Sequence, residues 1–131
     1  MPFDDFATRY LSALRDRDYE TLGQCYADDI EYSDVPAKVT FDHQGIMDAW
    51  RRVESTWAPG CDYVLVSSLT DGGRYVIEAE MRGTPLEQDG RPKEPVVLRF
   101  VMIGDVEDGK IVRNKDYYDP ADVHAAAGTS D

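Results

Sequence analysis

The chain is short of basic residues, histidine and cysteine, and it has no long apolar run. Its 14 Lys plus Arg stand against 26 Asp plus Glu, a formal net charge of −12. That charge repels phosphate backbones and anionic headgroups, which argues against nucleic acid or a membrane surface as a partner. Its plainer consequence is solubility. No stretch approaches the ~20 apolar residues that a membrane helix needs. The N-terminus, MPFDDFATRY, has neither the basic n-region nor the apolar h-region of a signal peptide. Cys25 and Cys61 lie far apart, outside any Cys-x-x-Cys pattern and with no histidine beside them. They indicate neither a disulfide framework nor a zinc site, and the expectation is two reduced thiols in a cytoplasmic protein. His43 and His124 are the two histidines. No phosphate loop, nucleophile elbow or metal motif occurs, so no cofactor and no metal are called for.

What is present is an ordinary globular composition. With 131 residues, 42% hydrophobic and 31% charged, the chain fits one domain over 1–131, with 121–131 as a loose tail. Phe3, Phe6, Tyr10, Leu11 and Leu14 recur at helical spacing, which predicts an amphipathic helix over 3–15 with Tyr10 on the core side. Asp18 is a candidate N-cap for a second helix, whose face is Tyr19, Leu22 and Tyr26 and which closes at Asp28-Asp29. Residues 30–34 alternate, with Ile30, Tyr32 and Asp34 on one face. A loop over 36–45 follows. Ile46, Trp50, Val53 and Trp57 predict a third helix with a bulky apolar face.

From Cys61 the pattern is β. Residues 61–70 are rich in β-formers, Asp71-Gly72-Gly73 makes a hairpin turn, and 74–83 alternate with Tyr75, Ile77, Ala79 and Met81 on the apolar side. Residues 84–95 read as a long polar connection, and Val96 to Val106 as a strand buried on both faces. Glu107 to Lys110 is the last tight turn, and 111–118 the final strand, with Val112, Asn114, Asp116 and Tyr118 sharing a face. Helices first and an antiparallel meander after them predict an α+β fold, three N-terminal helices on one face of a curved sheet that encloses a pocket.

The anomaly is Asp34, a carboxylate in phase with the apolar side of its strand. An apolar setting destabilises the charged form and moves the pKa toward the range useful to a general base. The alternative is a structural Asp bonded to the backbone of the Val35-Pro36 loop. Tyr10 is either a donor to a developing negative charge or a core tyrosine with its hydroxyl satisfied internally. Asp116 suits a pocket wall, or else an ion pair with Arg113, Lys115 or Arg99. Tyr32, Trp50, Met102, Asn114, Tyr118 and His43 are the further candidates for the pocket lining, His43 at its mouth.

The element order and the phrases YADDIEYSD, Gly45-Ile46, EDGKI and DYYDP resemble the nuclear transport factor 2-like fold, and within it the SnoaL-like proteins. That superfamily of cone-shaped domains includes polyketide cyclases, ketosteroid isomerases and limonene epoxide hydrolases. Against ketosteroid isomerase, Tyr10 falls on the oxyanion-binding tyrosine and Asp34 on the general base; the role logic there is a standard example of tuned carboxylates. The second oxyanion acid of that family is missing, since the region reads Phe100-Val101-Met102. Asp116 matches the last-strand aspartate of the epoxide hydrolases, but their Arg-x-Asp pair is absent from 77–82. In the cyclases a histidine stands about where Met102 is. The resemblance implies a cofactor-independent acid/base enzyme, an isomerase or cyclase moving a proton on a small hydrophobic carbonyl compound, and a homodimer. An epoxide-opening hydrolase and a non-catalytic ligand-binding or dimerisation module stay open beside it.

Overall fold

The computed structural model describes residues 2–127. Helix α1 (Pro2–Asp16) buries Tyr10, Leu11 and Leu14 of the predicted stripe, with Phe6 partly buried and Ala7 beside them, while the Phe3 side chain lies outside the described residues. The RDRD run ends it, with Arg17 in the left-handed region at φ 54°. Asp18 then caps α2 (Tyr19–Cys25), its carboxylate accepting from the Thr21 amide at 3.1 Å.

The second helix is shorter than expected. Tyr26 already belongs to strand β1 (Tyr26–Asp34), which runs parallel to β6 (Lys110–Tyr118). A register shift between Tyr26 and Glu31 bulges β1 and leaves Asp28 and Asp29 exposed. That bulge breaks the alternation that would mark a strand there, so the segment mimics a helix end. Strand β2 (Val39–Phe41) occupies part of the expected loop and pairs with β1. Asp42 caps α3 (His43–Ser55) by accepting from the Gly45 amide at 2.8 Å, so His43 opens a helix rather than sitting in a loop.

The buried face of α3 also differs from the expected one. Ile46 and Met47 are buried with Glu54, whereas Val53 is exposed and Trp57 lies beyond the helix end, bridging to Pro85. Glu54 is held by the Tyr19 hydroxyl, 2.7 Å away, with the Arg17 guanidinium at 3.9 Å. Burial raises its pKa, against the lowering effects of those two partners.

The meander follows as β3 (Asp62–Asp71), β4 (Arg74–Gly83), β5 (Val96–Glu107) and β6, giving the sheet order β2-β1-β6-β5-β4-β3. Gly72 and Gly73, both at positive φ, form the two-residue turn of the β3–β4 hairpin. Asp108 and Gly109 do the same between β5 and β6. All contacts but β1–β6 are antiparallel. Strand β5 is covered on its inner face only; Val97, on the outer side, is 46% exposed. The segment expected as a loose tail carries α4 (Pro120–Ala127), which packs against β5. Residues 128–131 and the His124 side chain lie outside those described.

The core is the concave side of the sheet against α1, α2 and α3, with Tyr75, Ile77, Ala79 and Met81 of β4 at its centre. Cys25 and Cys61 are free buried thiols. Among the described residues no helix is long and apolar enough to cross a membrane.

Candidate active site

Parallel pairing of β1 with β6 sets Asp34 directly beside Asp116. Strand parity gives both the inner face, and both line a cavity of about 180 Å³. Its remaining wall is mostly apolar: Trp50 and Val53 from α3, Trp57 after it, and Met81, Leu98 and Phe100 from the sheet. Tyr118 and Arg99 add the other polar atoms.

The two carboxylates are held differently. Asp34 is half-buried at the strand end, where its Oδ1 accepts from the Tyr118 hydroxyl at 2.7 Å and the Ala37 amide at 3.1 Å. Asp116 accepts a short hydrogen bond from the Tyr32 hydroxyl and a second, 2.8 Å long, from Asn114 Nδ2. Asn114 is itself buried and oriented by the Tyr75 hydroxyl, which donates to its Oδ1. The arrangement is a chain, Tyr75 to Asn114 to Asp116, met from the other side by Tyr32.

Burial pushes the Asp116 carboxyl up to about 7, although the Tyr32 and Asn114 hydrogen bonds pull it down; the Asp34 charge adds a smaller upward push. Burial likewise raises Tyr32 well above the usual phenol value, so at neutral pH it is a fixed donor. Two of the three expected ion-pair partners of Asp116 are engaged elsewhere. Arg113 lies 3.1 Å from Asp105, and Arg99 lies 3.4 Å from Glu80.

Tyr10 stands behind this site. It is fully buried, and its hydroxyl meets that of Tyr26 at 2.7 Å; Tyr26 also accepts from the Trp50 indole at 2.8 Å. Tyr10 therefore reaches the cavity through the ring of Trp50. His43 is turned inward, donating from Nε2 to the Gly23 carbonyl at 2.9 Å, with its ring edge-on to Tyr26. Met102 is buried and faces Asp116 across the β5–β6 pairing. Thus Asp34, Asp116, Trp50 and Tyr118 share the cavity wall, Tyr32 and Asn114 hold Asp116 from behind, and Tyr10, His43 and Met102 pack around them.

Sequence reasoning missed Tyr75 as the support of Asn114, and Gly104 as the residue that makes room for it. A Cβ at Gly104 would stand 2.0 Å from the Arg113 carbonyl oxygen and 2.6 Å from the Tyr75 hydroxyl. A glycine inside an apolar strand is the visible signal of such a close approach. Among the described residues no three His, Cys, Asp or Glu side chains gather as a metal site.

Three helices against a curved sheet, closing on two adjacent carboxylates in a mostly apolar cavity, define an α+β domain of the cavity-forming kind. The chain belongs to the SnoaL-like domain family, whose model matches residues 7–114. Solved structures agree on the fold. The chain is similar to IdmH, a putative polyketide cyclase from Streptomyces antibioticus, at 20% identity and TM-score 0.82, over 98% of this chain and 99% of that one. It is also similar to a protein of ketosteroid isomerase-like fold from Catenulispora acidiphila DSM 44928, solved in complex with trimethylamine, at 19% identity and TM-score 0.79, over 94% and 92%. A third likeness is to TerC co-crystallised with polyporic acid, at 22% identity and TM-score 0.78, over 96% and 98%. No curated protein sequence matches the chain significantly.

Proposed function

We propose that this is an acid/base enzyme of the isomerase or cyclase kind, moving a proton on a small, largely hydrophobic carbonyl compound. The observation that carries the reading is the Asp34–Asp116 pair, two carboxylates side by side on one cavity wall with Asp116 poised near neutral pH. Asp34 takes the proton alpha to the carbonyl, and the C–H electron pair passes into the enolate. Asp116, carrying its proton, hydrogen-bonds the oxygen as charge develops there and takes that proton back when Asp34 reprotonates carbon. Tyr32 and Asn114 occupy one lone pair on each Asp116 oxygen, which leaves the others for exchange with the substrate. The apolar wall strengthens these hydrogen bonds by excluding water. Tyr10, through Tyr26, positions Trp50.

The test is α-proton exchange of small ketones in deuterated water. Wild type is expected to accelerate it, and Asp34→Asn to lose ~10²–10⁴-fold of that rate. An undiminished rate in Asp34→Asn sinks the reading.

The same pair favours one second reading. A protonated and an ionised carboxyl could open an epoxide, one activating the ring oxygen and the other a water molecule, and labelled oxygen from water would then enter a diol.

The homodimer implied by the family resemblance also belongs here. On the outer sheet face Leu69, Val76 and Ile103 stand in register, with Val101 opposite Tyr117 in the neighbouring row. Leu69 is 74% exposed in the isolated chain, an apolar surface that a second copy would cover.

A further inference from the structure

The 180 Å³ chamber is small beside the roughly 300–1,000 Å³ that holds a drug-sized ligand. A second cavity, of about 470 Å³, adjoins it. This vestibule lies between the C-terminal turn of α3, the 84–95 connection and the start of α4. The two cavities share Val53, Trp57 and Val123 as wall residues. Trp57 is buried and fixed by its bridge to Pro85, so it forms a rigid floor common to both. Val53 and Val123 are 41% and 40% exposed, and they come from different helices. Exposed valines on separate elements can part with little loss of packing.

The vestibule has a mixed character. Pro85 and Leu86 continue the apolar floor from Trp57, while Ser55, Gln88 and Lys93 supply polar atoms at its rim. The connection keeps its shape by its own backbone bonds, Leu86 N to Thr56 O at 2.8 Å and Lys93 N to Pro85 O at 2.8 Å. A preformed, apolar-floored space that shares a wall with the inner chamber suits the remainder of a molecule whose reacting end lies inside.

We propose that the site has two compartments, and that the substrate is an elongated carbonyl compound. Its carbonyl end reaches Asp34 and Asp116, and an apolar tail passes between Val53 and Val123 into the vestibule over Trp57, Pro85 and Leu86. This rests on reading the inner chamber as the carbonyl site.

The test measures binding of a series of straight-chain methyl ketones, from butanone to tridecanone, by calorimetry or tryptophan quenching. In wild type, affinity is expected to keep rising by about threefold to fourfold per methylene past the length that fills the inner chamber, as for a buried CH₂. Leu86→Asp and Gln88→Trp, one making the vestibule polar and the other filling it, touch no wall of the inner chamber. Both are expected to bind butanone as wild type does and to lose the gain for the long ketones. A plateau at the same short length in all three proteins overturns the proposal, as does an equal loss for short and long ketones or no saturable binding at all. Failure of the acid/base reading would look different: intact chain-length dependence without α-proton exchange in the bound ketones.

Discussion

Asp116 joins stability to chemistry at a single residue. Its carboxyl titrates near 7 when folded, against about 3.9 in an unfolded chain. The folded state therefore binds the proton more tightly, and stability contributed by Asp116 is present below about pH 4, falls as pH rises toward 7, and is flat above. Asp116→Asn removes that fall. Thermal or urea unfolding at pH 8 should find the variant more stable by about 1–3 kcal/mol, a difference that shrinks toward pH 4. Activity should move the other way, because the proposed mechanism uses Asp116 in its protonated form. The rate of α-proton exchange should decline above pH 7 in wild type and be low at all pH values in Asp116→Asn. Tyr10 gives a contrasting expectation. With its hydroxyl on Tyr26 rather than on the cavity, Tyr10→Phe should cost about 1 kcal/mol of stability and change the exchange rate by less than about tenfold. A loss of ~10²–10³-fold would put its hydroxyl on the substrate oxygen instead. Strand parity made Asp34 legible in the sequence, since Ile30 and Tyr32 set the phase and both are buried. It could not show that Asp116 would be raised, because that comes from burial under packed elements, which outweighs the lowering hydrogen bonds from Tyr32 and Asn114.

Among the elements, β5 and α3 carry the features that local pattern misrepresents. Strand β5 reads as buried throughout because Val97, Val101 and Ile103 are apolar, yet they lie on the outer face, where Val97 is exposed and Val101 and Ile103 are only partly covered. Gly104 sits in the same run, and it is needed because Tyr75 crosses it to support Asn114. Gly104→Ala would press a methyl group on a backbone carbonyl and should cost about 3 kcal/mol. It should also lower the Asp116-dependent exchange rate, which a purely structural role would leave intact in the folded fraction. In α3 the apolar spacing pointed to Val53 and Trp57, but the helix ends at Ser55 and turns Glu54 inward. A carboxylate on a buried face has no signature in spacing, since its partners Tyr19 and Arg17 come from the α1–α2 region. Glu54→Ala strands both partners and should lower stability by about 1–3 kcal/mol in urea unfolding, with Glu54→Gln costing less. The order and turns of the meander, by contrast, were readable, because Gly72-Gly73, Asp108-Gly109 and the alternation of β4 all report local geometry.

For the whole molecule, the cone follows from wrapping a six-stranded sheet over three helices, and family resemblance made that architecture legible from the order of elements. The cavities were not legible. Their size depends on how far α3, the 84–95 connection and α4 stand off the sheet, and α4 itself falls where composition suggests a loose tail. The homodimer proposed above carries an expectation that joins the outer face to the charge. Two copies, each carrying −12, repel, so dimerisation through the apolar outer face should strengthen between low and physiological salt in analytical ultracentrifugation. Val101→Asp, at the centre of that face, should give a monomer that still binds small ketones.

The paired carboxylates are tested most directly by carboxyl ¹³C NMR titration of the aspartates in wild type, Asp116→Asn and Asp34→Asn. One carboxyl should titrate near pH 7 in wild type and vanish in Asp116→Asn. In Asp34→Asn it should persist at a lower pKa, because the neighbouring charge that helps raise it is gone. A wild-type spectrum in which every aspartate titrates below about pH 5 would contradict the poised pair and the proton-transfer chemistry built on it.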